Sequence, residues 1–180
     1  KNVLHLTVMT IRIDQRDESN VINSLENFAK SLRGVCQYVI NSANSSLEEI
    51  TSPKISLEPD ELDFFDENTL VLKIKREPGL MTFHNNIIES LSAYINWDET
   101  PQFNGDERRR NLYERYASAY VKEFYQPHIS IAQVSLDLLK DKEFNPNFFS
   151  GQSWNINQFY LSRREADGWK TVKTFPLQNP

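Results

Sequence analysis

The sequence holds a single cysteine, Cys36, so no disulfide can form within the chain. That scarcity fits a reducing compartment, and a cytoplasmic location is the expectation. In the apolar run VCQYVI, Cys36 reads as a small packed hydrophobe rather than a nucleophile. No apolar run approaches the roughly 20 residues that cross a bilayer. The opening KNVLHLTVMT is too short and too polar at its start for a signal peptide. No membrane partner is therefore expected. Glycine is scarce too: there are five, none at P-loop spacing, which argues against nucleoside-triphosphate hydrolysis. Of histidines there are only three, and no His-x-x-x-His, Cys pair or acidic cluster at ligand spacing accompanies them. Neither a metal nor a cofactor is expected. Positive charge is also short. A formal net charge of -5 at pH 7 lacks the basic face with which a protein grips many phosphates. An enzyme that takes one nucleotide or one strand end remains open.

What is present is a core-forming composition. The chain has 180 residues, 39% of them hydrophobic and 12% aromatic, enough to bury a core in one domain or two tightly packed lobes. Residues 3–13 alternate as a half-buried strand, with Leu4, Leu6 and Val8 on one face and His5 and Thr7 on the other. A helix follows, capped by Asp17 or Ser19, carrying Val21, Leu25, Phe28 and Leu32 on one face and stopping at Gly34. Residues 35–40 form a strand and 41–53 a polar loop. Strands are expected at 54–57, 62–65 and 69–75, then a helix from Pro78 to about Tyr94. Asp106 caps a third helix that runs on toward Tyr125, its inner face carrying Leu112, Tyr116, Ala117 and Tyr120. HISIAQV is a strand with Ile129 and Ile131 inward. A short helix at 135–142 and a closing hairpin around Asp167-Gly168 complete the reading. Helices mixed with antiparallel strands give an α+β fold.

One four-residue pattern occurs twice. His5-Leu6-Thr7-Val8 and His128-Ile129-Ser130-Ile131 both read histidine, apolar, hydroxyl, apolar. On a strand, positions i and i+2 share a face, so each motif presents an imidazole beside a hydroxyl while its apolar residues anchor it. Phosphodiester cleavage needs a group that takes a proton from the attacking oxygen and one that gives a proton to the leaving oxygen. Imidazole serves both roles near neutrality. Two hydroxyls beside the rings can donate to the non-bridging oxygens, and no metal is required.

With these motifs, the sequence resembles the two-histidine (2H, or LigT-like) phosphoesterase superfamily, defined by two H-x-[ST]-hydrophobic motifs. The element order from Val3 to about Leu177 and the run QPHISIAQ are similar to that family. The resemblance implies a bilobal, pseudo-symmetric fold with a cleft between two small antiparallel sheets. It also implies that His5 and His128 are the acid-base pair and that Thr7 and Ser130 contact the phosphate. The implied substrate is RNA or a nucleotide bearing a 2′,3′-cyclic phosphate or a 2′-5′ linkage; the sequence does not fix the oligomeric state, and a monomer is assumed. The alternatives are a 2′-5′ RNA ligase-type activity and a non-catalytic RNA- or nucleotide-binding module. Family members begin with a strand and helix upstream of the first motif. Only four residues precede His5, so a single domain over 1–180 lacking those elements is the expectation. Gln133 stands where many relatives carry Arg.

The remaining candidates have plainer readings. His84 falls on the inner stripe of its helix and reads as a packing histidine. The run Arg108-Arg109-Arg110 reads as a solvated face balanced by Asp106, Glu107 and Glu114, with a phosphate grip as the alternative. Tyr125, just before the second motif, and Phe124 before it are candidate platforms for stacking a base, with core packing the competing role. Asp60, Glu61, Asp63, Asp66 and Glu67 read as a solvated acidic strand and loop.

Overall fold

The computed structural model describes residues 5–33, 37–41, 46–50, 55–65, 68–98, 100, 102–134, 145 and 147–177. Among them, three α-helices and several small antiparallel sheets make a mixed α+β architecture. The chain enters along residues 5–13, which, against the expected strand, form only isolated bridges at Leu6 and Ile13, because side-chain packing of Leu6, Val8, Met9, Ile11 and Ile13 on the main core rather than a continuous ladder holds them. Asp14 then accepts a hydrogen bond from the Arg16 N–H at 2.9 Å and starts a 3-10 turn, Gln15–Asp17, that runs into α1 (Glu18–Arg33). Asp14 therefore caps the helical run, not Asp17 or Ser19, because the turn begins before either residue. Val21, Leu25 and Ala29 recur at helical spacing and are buried.

β1 (Gln37–Asn41) and β2 (Ser46–Ile50) form an antiparallel hairpin. The sequence pattern reads residues 41–53 as a loop; cross-strand pairing makes Ser46–Ile50 a strand despite weak local preference. β3 (Ser56–Leu57) pairs with β7 (Trp154–Asn155). β4 (Pro59–Phe65), β5 (Thr69–Ile74) and β6 (His128–Gln133) make a three-stranded antiparallel sheet with β5 in the middle. Pro59 is tolerated because it opens an edge strand, where its missing N–H costs nothing. Leu72 and Ile74 point from β5 into the core. Ile131, expected inward, is instead exposed, because β6 leaves the core after Ile129.

α2 (Pro78–Leu91) starts with Pro in its first turn and buries Leu80, Phe83, His84, Ile87, Ile88 and Leu91. α3 (Glu107–Tyr116) is capped by Asp106, which accepts from the Arg109 N–H at 3.0 Å. It is shorter than the apolar pattern predicts. Ala117 turns left-handed, with φ 52°, and the Ser118 hydroxyl accepts from the Tyr120 N–H, competing with helical bonding. Tyr120 is consequently 58% exposed rather than on an inner face, while Leu112 and Tyr116 pack with Ile88 and Val121.

β8 (Gln158–Glu165) and β9 (Gly168–Pro176) form the closing hairpin, and Gly168 adopts φ 132°, which side-chain-bearing residues avoid. α1 lies against α2 and β9. One apolar cluster joins Val21 of α1, Leu72 of β5, Phe83 of α2 and Phe175 of β9. The short helix expected at 135–142 lies outside the described residues. Among those described, no helix is long and apolar enough to cross a membrane.

Candidate active site

Leu6 forms an antiparallel bridge with Ile129. Both are half-buried against the main core, so the residues flanking each one point to the opposite face. In this pairing His5 opposes Ser130, and Thr7 opposes His128. The four motif residues therefore lie on one side of β6 and of the extended segment that bridges it at Leu6. His5, Thr7 and Ser130 are exposed and His128 is half-buried. Opposed residues in an antiparallel pair stand about 4.5–5.5 Å apart at Cβ and diagonal ones about 7–8 Å. His5 and His128 are diagonal, with the two hydroxyl residues on the crossing diagonal.

β6 carries this face across to β5 and β4. Lys73 of β5 pairs directly with His128, and Val71 with Ser130. Lys73 bonds Glu61 at 3.0 Å and also Asp63, both on β4. Asp63 and Glu61 raise the Lys73 pKa, and Lys73 in turn lowers that of Asp63. The acidic stretch thus does more than meet solvent: two of its carboxylates fix the cation beside the second motif. Phe65 meets the His128 ring edge-on, centroids 4.2 Å apart. These two residues lie on opposite diagonals of Val71, which is fully buried although it shares their face. The sequence pattern TLVLKIK puts Lys73 opposite the core-facing Leu72 and Ile74, but only strand pairing reveals that His128 is its neighbour.

The His128 ring is also fixed from below. Its Nδ1 lies 2.8 Å from the Gln126 carbonyl oxygen. A carbonyl only accepts, so Nδ1 carries the hydrogen, and in the neutral ring the lone pair is on Nε2.

His84 is a packing histidine, wholly buried, as its place in the helix implies. Its Nδ1–H donates to the Val8 carbonyl at 2.9 Å, and its Nε2 accepts from the Lys122 N–H at 3.1 Å. Burial, aided by the nearby charges of Lys122 and Arg76, lowers its pKa to about 4. Tyr125 is not placed to stack an incoming base. It is only 5% exposed, and its ring lies parallel to His84 with centroids 3.8 Å apart. Its hydroxyl donates to the Thr7 carbonyl at 3.0 Å. A ring so desolvated, with its one polar atom satisfied, belongs to the core. Burial pushes its phenol pKa above the ordinary value.

The arginine run is engaged locally. The guanidinium groups of Arg108 and Arg109 lie over the Phe124 ring, and Arg109 also over Tyr120. Arg108 reaches Glu123 at 3.5 Å, and Arg109 reaches Asp106 at 3.4 Å. Of these two carboxylates Asp106 is one of those expected and Glu123 is not, and Arg110 donates to the Gly105 carbonyl at 3.2 Å. A separate concavity of about 390 Å³, lined by Trp97, Phe103, Tyr113 and Arg110 among others, lies near the far end of the first motif segment, where Ile13 bridges Ile95. Among the described residues, no three His, Cys, Asp or Glu side chains gather to hold a metal ion. No protein-family model matches the sequence, and no curated protein matches it.

Proposed function

We propose that this chain is a metal-independent phosphodiesterase of the two-histidine type. It acts on RNA or nucleotide ends, hydrolysing 2′,3′-cyclic phosphates or 2′-5′ linkages. The observation that carries this reading is the Leu6–Ile129 bridge, which sets two matched His-x-Thr/Ser motifs side by side with their polar residues on one face. In a cyclic phosphate, one imidazole takes a proton from water as its oxygen bonds to phosphorus. The bond from phosphorus to one ribose oxygen breaks, and the other imidazole protonates that oxygen as it leaves. Thr7 and Ser130 donate hydrogen bonds to the non-bridging oxygens. The fixed Nδ1–H of His128 directs its Nε2 to proton transfer.

Within this reading the chain is one bilobal, pseudo-symmetric domain, and the same bridge supports the pseudo-symmetry of the two motifs. It joins the middle residue of one motif to the middle residue of the other. Equivalent residues meeting in an antiparallel pair is what a local twofold axis requires.

The test is turnover of nucleoside 2′,3′-cyclic monophosphates followed by phosphorus NMR, with His5→Ala and His128→Ala as variants. Each variant is expected to lose about 10²- to 10⁴-fold in kcat while still binding the nucleotide. Binding without turnover by the unaltered chain would instead indicate a non-catalytic module. Unchanged turnover in either variant would remove the acid-base assignment.

A further inference from the structure

Among the described residues, segment 5–13 meets other strands only through the bridges at Leu6 and Ile13, together with the Asn96 N–H on the Arg12 carbonyl. Between those points two successive carbonyls are held by side chains: that of Thr7 by the Tyr125 hydroxyl at 3.0 Å and that of Val8 by His84 Nδ1–H at 2.9 Å. The two holders lie parallel in contact, 7° between ring planes, and the Lys122 N–H fixes the other nitrogen of His84. Holding two consecutive carbonyls fixes two peptide planes, and with them the directions of the side chains between and beside those planes. Tyr125 also leads directly into the second motif. Its neighbour Gln126 offers the carbonyl that orients His128, and the Pro127 carbonyl accepts from the Ile74 N–H of β5 at 2.9 Å. A single brace thus runs from the Thr7 carbonyl through Tyr125 and the Gln126 carbonyl to the His128 ring.

We propose that Tyr125 and His84 are positioning residues that lock the first motif against the second and so set the spacing of His5 and Thr7 relative to His128. This rests on the phosphodiesterase reading above. Neither side chain touches substrate. Each acts through the backbone of Thr7 and Val8, where small misplacement of a reacting group lowers the chemical step far more than it lowers binding.

The test is Tyr125→Phe, which keeps the stacked ring and removes one oxygen, set beside Tyr116→Phe. Tyr116 donates to Glu89 at 2.9 Å, so its variant removes a comparable tyrosine bond that holds neither the Thr7 nor the Val8 carbonyl. In Tyr125→Phe, kcat per folded molecule is expected to fall about tenfold, with KM within about twofold. Tyr116→Phe should leave both unchanged. His84→Gln, which disturbs the bond to Val8, should follow Tyr125→Phe in direction. Equal kcat in Tyr125→Phe and the parent would overturn the proposal. Should the parent show no turnover, the phosphodiesterase reading fails by itself, and amide hydrogen exchange of segment 5–13 decides the brace. About fivefold faster exchange in Tyr125→Phe and not in Tyr116→Phe supports it, and equal exchange overturns it.

Discussion

Burial separates His84 from the two motif histidines. With no exposed surface and both nitrogens bonded, its ring stays neutral in the folded chain down to about pH 4, whereas in the unfolded chain it titrates near 6.5. Between those values the unfolded chain binds more protons, so stability rises with pH. The contribution is fully present above about pH 6.5 and is lost as pH falls toward 4. The difference corresponds to about 3 kcal/mol. Melting curves of the parent and His84→Gln between pH 4 and pH 7.5 should converge as the pH drops, because only the parent carries this loss. The packing role of His84 was legible from the helical stripe in which it sits. The repeated four-residue pattern was legible as well, because it is local. Tyr125 was not, since the carbonyl it holds is 118 positions away and nothing near it in sequence marks that partner. The same holds for Lys73, whose cross-strand neighbour is set by pairing alone.

Local chemistry wins at the end of α3. The apolar pattern continues through Ala117 and Tyr120, yet the chain turns left-handed at Ala117, and the helix stops there. A methyl group at φ 52° is strained where glycine is at ease. Ala117→Gly is therefore expected to stabilise the protein by about 0.5–1 kcal/mol, raising the midpoint of a circular-dichroism melt by about 2–4 °C. A lower midpoint would mean that the alanine methyl has packing worth more than the strain. The early stop could be foreseen only weakly, from Ser118, whose hydroxyl competes for the backbone. β2 shows the converse. Ser46–Ile50 has a loop-like composition and becomes a strand because a partner strand supplies its hydrogen bonds. Elements with strong internal periodicity, such as α1, α2 and the closing hairpin, were readable from the chain itself. Those decided by partners were not.

The whole chain holds its polar motif face outside the core that carries it. Leu6 and Ile129 anchor the two motif segments in the same apolar cluster that joins α1, α2 and β9, so the side bearing His5, Thr7, His128 and Ser130 rests on the main body of the protein. The net charge of -5 gives no long basic track, which fits a site that takes one phosphate group rather than an extended strand. The proposed chemistry requires His5 and His128 to attend one phosphorus. Its most direct measurement is an NMR titration of the three histidine rings with adenosine 2′-monophosphate. The His5 and His128 resonances should shift along one saturation curve with a shared Kd, while those of the buried His84 stay in place. Movement of only one of the two, or two curves with different Kd values, would contradict it.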